Sequence, residues 1–229
     1  MTSPVERPIR AAIVGLGQVG SRFDEEPGRS IIWTHAGAYA HLHDDFELVA
    51  VAEPGAENAQ AFARRMPNVP IVDTPQQLIE RYDLDVVSIC TPAGTHHDVF
   101  MAVIKGKSLK AVWCEKPLAT DTAAARRMVN AAQARGLKMT VSHVRRWVPL
   151  WRRAADLIAD GAVGAVRCVR IAMPNRILSI GSHAVDLALM LGGPSNQVTA
   201  IDVPALFEEG EAARPIFLHF ASGAYGIVQ

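Results

Sequence analysis

Three short segments carry residue types that can hold and move charge. Gly15, Gly17 and Gly20 form a G-x-G-x-x-G turn, with Gln18 and Val19 inside it, directly after the apolar run Ile9 to Val14. In that pattern the first glycine makes the tight turn, the second lets the backbone approach a pyrophosphate, and the third lets the following helix pack on the strand. The phosphates would rest on backbone N–H groups at the helix start. Glu53, at the end of the next apolar run, is placed to accept hydrogen bonds from the hydroxyls of an adenosine ribose, so the combination reads as a dinucleotide site. A carboxylate there repels a 2′-phosphate and no arginine follows within several residues, which favours NAD over NADP. Thr91-Pro92 with His96, and Glu115-Lys116-Pro117, follow two further strand candidates. Both fall at the carboxyl ends of strands, the edge where doubly wound sheets bind ligands. From its neighbours alone, Lys116 is either a solvated loop charge or an acid–base group beside a nicotinamide.

The elements that must position these residues are legible as a βαβ rhythm. Strand candidates are Ile9 to Val14, Phe46 to Ala52, Val69 to Val72, Asp85 to Cys90, Lys110 to Cys114 and Lys138 to Ser142. Helical periodicity runs over Thr34 to His43, Gly55 to Arg65, Pro75 to Tyr82, Thr95 to Gly106 and Asp121 to Arg135. Runs such as AAIVG and VVSIC are apolar at every position, as expected of parallel strands covered on both faces by helices. A doubly wound α/β domain is expected over residues 1–143. After it the rhythm changes to α+β over residues 144–229, with helices at Trp147 to Asp160 and Ser182 to Leu191 and strands at Ala165 to Ala172, Gln197 to Val203 and Pro215 to Phe220.

Composition narrows the partners. In 229 residues, 23 Lys and Arg balance 23 Asp and Glu, so no basic field exists to draw nucleic acid or an anionic membrane. No uncharged stretch reaches the roughly 18 apolar residues of a membrane span. The first ten residues have no apolar signal core, and a cytoplasmic protein is expected. Cys90, Cys114 and Cys168 lie far apart in apolar runs and are expected to be buried structural thiols. His41 and His43 precede Asp44-Asp45, but their spacing turns the rings apart on a helix, and no metal site is expected.

GLGQVG, CTPAGTH, CEKPLA, HVRRWVPLW, IADGAVGAVRCV and GSHAVDLALMLGG together resemble the glucose-fructose oxidoreductase/inositol dehydrogenase (Gfo/Idh/MocA) family, over most of residues 9–228. The E-K-P and G-S-H-x-x-D segments are the most specific. The resemblance implies an N-terminal Rossmann domain, a C-terminal α+β domain with an open, mostly antiparallel sheet, a nicotinamide cofactor and a sugar-like or cyclitol substrate. By motif, Lys116 resembles the family lysine that contacts the nicotinamide ribose and the reacting hydroxyl, usually with a cis bond to Pro117. His183 resembles the histidine that takes the hydroxyl proton. Thr91, Pro92, His96 and Glu115 match cofactor-pocket positions, and Arg146, Trp147 and Ser179 match substrate-side positions.

Two departures from the family pattern are visible. Ser179 stands where an aspartate usually orients the histidine, with Asp186 a candidate substitute on the same helical face or simply a helix-stabilising carboxylate. The stretch between Ala172 and Gly181 is short, and the chain stops at FASGAYGIVQ where relatives add strands. An open sheet edge of this kind is usually covered by another subunit, so a homo-oligomer through the C-terminal sheet is expected. Besides net hydride transfer, two other uses fit these residues: NAD-assisted elimination or hydrolysis without net redox change, and a non-catalytic cofactor-binding sensor or assembly partner.

Overall fold

The computed structural model describes residues 7–26, 28, 31–172, 181–200 and 215–229. It divides into two units, Met1–Ser142 and His143–Gln229. Alternate residues of β1 (Ile9–Val14) enter two different cores: Ala11 and Ile13 on one side, Ala12 and Val14 on the other. That is the period-2 signature of a strand buried on both faces. The strand leads through a turn of 3-10 helix (Arg22–Glu25) to α1 (His35–His41), β2 (Phe46–Ala52), α2 (Ala56–Arg65), β3 (Ile71–Val72) and α3 (Pro75–Arg81). Then come β4 (Val86–Ile89), α4 (His96–Val103), β5 (Ala111–Cys114), α5 (Thr122–Ala134) and β6 (Lys138–Val141).

The six strands are parallel in the order β3-β2-β1-β4-β5-β6, the doubly wound arrangement expected. The first core receives Ala36 and Tyr39 of α1 and Phe62 of α2. The second receives Leu78, Phe100, Val103 and Met128 from α3, α4 and α5. Phe62, Phe100, Leu78 and Met128 are completely withdrawn from water, each contributing about 1.5–3 kcal/mol relative to exposure. Caps set the helix starts: Thr34 accepts from the Gly37 N–H, Thr74 from Gln77, and Asp121 from Ala124.

The second unit holds a turn of 3-10 helix (Val144–Trp147), α6 (Pro149–Ala159), β7 (Cys168–Ile171), α7 (Ser182–Gly192), β8 (Ser195–Ala200), β9 (Ile216–Phe220) and β10 (Tyr225–Val228). Its sheet has the order β7-β10-β9-β8, with β10 parallel to β7 and antiparallel to β9, and β9 antiparallel to β8. Ala184 and Ala188 of α7 pack on Val169, Leu218, Phe220 and Val228. A methyl group on Gly192 would lie 2.4 Å from the Phe220 ring, so the helix end needs glycine to sit this close to the sheet. β10 is an element the periodicity did not reveal, joined to β9 by a tight turn with Gly223 at φ +85°. Cys168 corrects an expectation: strand alternation turns it away from buried Val169, leaving it exposed, while Cys90 and Cys114 are buried. The shortened stretch at 173–180, including Ser179, and residues 201–203 of an expected strand lie outside the described residues. No helix among the described residues is long and apolar enough to cross a membrane.

At the amino edge of the six-stranded sheet a buried carboxylate ties the strands together. Asp85 accepts from Arg7 at 2.7 Å and from the Arg10 N–H at 3.0 Å, and pairs with Lys110 at 2.9 Å. Burial alone would push its carboxyl up, but these donors together hold it well below the usual carboxylate range. A depressed carboxylate stabilises the fold above its unfolded-state pKa, and that contribution is lost as pH falls through the folded-state value. Asp85→Asn should therefore lower the urea-unfolding free energy at neutral pH by about 1–3 kcal/mol, with the gap to wild type closing on strong acidification.

Candidate functional site

The parallel register brings every motif of the first unit to one edge. Beyond the strand ends the ladder continues by one residue: Gly15 N–H donates to Ala52, Glu53 to Val72, Cys90 to Val14, Glu115 to Ile89 and Ser142 to Cys114. The glycine turn, Glu53, Thr91-Pro92 and the 115–117 turn thus line one rim, at the crevice where the strand order reverses between β1 and β4.

The three glycines have three different surroundings. Gly15 has φ +93°, and an added Cβ would lie 2.9 Å from the Cys90–Thr91 backbone. On Gly20 it would lie 2.1 Å from the Gly15 carbonyl oxygen, so this glycine is required by the turn itself. A methyl group on Gly17 would meet nothing within 4 Å: the space beside it is open, as close approach of a pyrophosphate demands. Gln18 is exposed and Val19 half-buried; the Val19 and Gly20 carbonyls accept the His35 and Ala36 N–H groups at 3.0 Å each. Thr91 adds a second indication: its Oγ1 is buried with no hydrogen-bond partner among the described residues. An open glycine cradle and an unsatisfied hydroxyl on the same rim fit a dinucleotide.

Glu53 is nearly buried. Its Oε2 accepts the Leu16 N–H at 2.7 Å and its Oε1 accepts the Gly55 N–H at 2.8 Å. It therefore clamps the glycine turn to the loop after β2, and a carboxylate keeps further lone pairs for ribose hydroxyls. Lys116 is half-buried and joined to Pro117 by a cis peptide bond. Glu115 and His96, expected among the cofactor contacts, have their polar atoms engaged by the protein. Glu115 accepts from His35 Nε2 (3.1 Å), from Ser142 and from the Lys116 N–H (3.3 Å). Burial pushes its carboxyl up, yet these donors outweigh burial and hold it below the ordinary glutamate value. Pro92 is exposed at the start of the short 3-10 turn Ala93–Thr95.

In the second unit His183, near the start of α7, has its ring 5.5 Å from that of His143 and perpendicular to it. Arg146 Nε donates to both oxygens of Asp186, at 2.8 and 2.9 Å. Trp147 is 61% exposed, with the Arg152 guanidinium 5.6 Å from its ring centre. Residues absent from the sequence-based set are His35, Ser88, Tyr39, Ser142 and His143. The signal at Ser88 was a lone hydroxyl in the apolar run VVSIC; the others pair across too many residues to be visible. Among the described residues no group of three His, Cys, Asp or Glu could hold a metal ion.

Residues 9–143 match the Gfo/Idh/MocA family, an oxidoreductase family with an NAD-binding Rossmann fold. The chain belongs to that family. It is 28% identical over 209 residues to D-glucoside 3-dehydrogenase of Escherichia coli K12, covering 82% of this chain and 55% of that protein. It is 31% identical over 159 residues to inositol 2-dehydrogenase 4 of Saccharopolyspora erythraea, covering 69% of this chain and 43% of that one. The chain thus spans about half the length of these curated relatives. Among solved structures it resembles the WlbA dehydrogenase of Bordetella pertussis, in complex with NADH and UDP-GlcNAcA. That match has a TM-score of 0.81 at 22% identity, over 99% of this chain and 67% of that one.

The glycine surroundings predict a separation of effects. Gly17→Ala should fold with an unchanged melting temperature yet weaken NADH binding, measured by fluorescence titration, by about tenfold or more. Gly20→Ala should instead lower the melting temperature, because its methyl group has no space.

Proposed function

We propose that this chain is an NAD-dependent oxidoreductase that moves a hydride between nicotinamide and a hydroxyl or keto carbon of a sugar-like or cyclitol molecule. The observation that carries the reading is the shared rim: an open glycine cradle, a clamped Glu53 and Lys116 at the carboxyl ends of parallel strands of one sheet. The names of the relatives, which are dehydrogenases of glucosides and inositols, support the substrate class. Glu53 supports NAD over NADP, since a 2′-phosphate would meet a carboxylate.

Bound NAD would supply the hydride acceptor. Gly15, Gly17, Gln18, Val19 and Gly20 would hold its pyrophosphate, Glu53 its adenosine ribose, and Thr91 and Pro92 would line its path along the rim. Lys116 polarises the reacting oxygen of the substrate, and His183 takes its proton as the C–H bond breaks; an imidazole suits proton transfer near neutral pH. Arg146 and Trp147 would contribute on the substrate side, with Asp186 fixing the Arg146 guanidinium. Without a carboxylate at position 179, His183 relies on other neighbours for its orientation, which is the role we assign to His143.

Lys116→Ala should lower kcat by about 100-fold or more on whichever member of a polyol, cyclitol and nucleotide-sugar panel the wild type turns over with NAD. Full turnover by that variant would remove Lys116 from the mechanism. Tight NADH binding with no turnover across the panel would replace the enzyme reading with a cofactor-binding one. We also propose self-association through the C-terminal sheet, whose outward face carries exposed Tyr225. Light scattering at micromolar concentration should then give a mass above 24.7 kDa, and a monomer would count against it.

A further inference from the structure

Two fully enclosed histidines converge on the turn that carries Lys116, one from each helical layer. His35, the first residue of α1, is 5% exposed; its Nε2 lies 3.1 Å from Glu115 Oε1 and its Nδ1 lies 3.0 Å from Ser88 Oγ. Ser88 Oγ is in turn 2.8 Å from the Tyr39 hydroxyl. His96, the first residue of α4, is 1% exposed; its Nδ1 lies 2.9 Å from the Pro117 carbonyl and its Nε2 lies 2.7 Å from the Thr91 carbonyl. Since α1 and α4 cover opposite faces of the sheet, the residues before and after Lys116 are gripped from opposite sides.

We infer that His35 and His96 are positioning residues for Lys116, His35 through the Glu115 carboxylate and His96 through the Pro117 carbonyl. The proposal rests on the reading of Lys116 as the group that touches the reacting oxygen. The donor pattern gives His35 a direction. An ionised carboxylate only accepts, so His35 Nε2 donates; in the neutral ring Nδ1 then accepts from Ser88, which accepts from Tyr39. The carboxylate thereby sets the tautomer, and Ser88, backed by Tyr39, satisfies the ring nitrogen that this leaves as an acceptor. Both ring nitrogens of each histidine face protein partners, so their action is indirect; the partners of His96 are both carbonyls, which only accept, so each of its contacts is a hydrogen bond only when the facing nitrogen carries the proton. Anchoring both neighbours of a reactive lysine matters because a misplacement of about 1 Å can cost about 100-fold in rate.

The titratable groups around the Glu115 carboxylate are His35 on α1, with Tyr39 behind Ser88, and the thiols of Cys90 and Cys114. Burial pushes both thiols up, so they stay protonated and add no competing charge at neutral pH. Removing His35 strips Glu115 of a donor while its burial remains, so its carboxyl rises. The acidic limb of the kcat profile, where Glu115 takes a proton and releases the turn, should then move to higher pH.

The test compares His35→Ala, His35→Gln and Ser88→Ala in the full chain, with His96→Ala alongside. Without any substrate, hydrogen exchange over residues 114–118 should accelerate by about tenfold or more in His35→Ala and His96→Ala, and fall back in His35→Gln, whose amide can donate near the Nε2 position. With the panel substrate, His35→Ala should lose about 30-fold in kcat while NADH affinity, by fluorescence, stays within about threefold of wild type. Should His35→Ala fail to fold, Ser88→Ala reads the same chain through loss of the Nδ1 partner, with exchange over residues 114–118 faster than in wild type. Unchanged exchange in the 114–118 turn, or a glutamine variant no better than alanine, would overturn the inference. A braced turn whose Lys116→Ala variant retains full turnover would instead overturn the reading of Lys116, and with it the catalytic meaning of the brace.

Discussion

A carboxylate withdrawn from water at the mouth of a parallel sheet costs several kcal/mol unless donors surround it. Glu115 imposes that requirement on the first unit. Its donors come from the start of α1, from Ser142 just beyond β6 and from the Lys116 N–H. Three segments distant in the chain must therefore meet at one point, and that point is the root of the turn carrying Lys116. Were Glu115 replaced by an apolar residue of similar size, α1 would keep its Thr34 cap and its bonds to the Val19 and Gly20 carbonyls but lose its tie to the turn carrying Lys116. The cost of a buried charge is here turned into positional information.

Glu53 solves the same problem at the end of β2 by other means. Its oxygens are satisfied by two backbone N–H groups, from Leu16 and Gly55, with no side-chain cation involved. Backbone donors are held by secondary structure and cannot be lost by rotation of a side chain. The glycine turn is thus pinned to the loop after β2. The rim combines one carboxylate fixed by backbone with another fixed by an imidazole and a hydroxyl.

What the sequence disclosed follows from how local each signal is. β1 and β2 coincide with their expected spans residue for residue, and the last four residues of β1 and the last three of β2 are buried without a break. β4 and β6 end one residue inside their expected runs, where the chain already turns toward the rim, while β3 and β5 end where expected and begin one or two residues late. The glycine and E-K-P segments are contiguous and were legible as chemistry. The brace was not: His35 finds Ser88 at a separation of 53 residues and Glu115 at 80. Nor could spacing tell that Arg146 would claim Asp186 from a helix 40 residues away. β10 escaped notice because Gly223 and Gly226 break its apolar run. Gly226 nevertheless packs closely, since an added Cβ would lie 3.0 Å from the Phe220 ring and push it aside by a few tenths of an ångström.

The segment between the glycine turn and α1 shows why counting residues underestimates this fold. Thirty-three positions separate Gly20 from Glu53 where about 20 are usual, yet the fingerprint geometry is intact. The described ends of the excess are held to each other and to α2. Asp24 accepts the Trp33 N–H at 2.8 Å and the Thr34 hydroxyl, while Arg22 pairs with Glu57 at 3.0 Å and Arg65 donates to the Ser21 carbonyl at 2.7 Å. With the two ends joined, the first N–H groups of α1 still reach the Val19 and Gly20 carbonyls. The helix is placed by those bonds and by the buried Glu115, so chain length between turn and helix can grow without moving either. Closing a longer flexible loop costs only about 0.6 kcal/mol per doubling, a small term beside the donors it leaves in place.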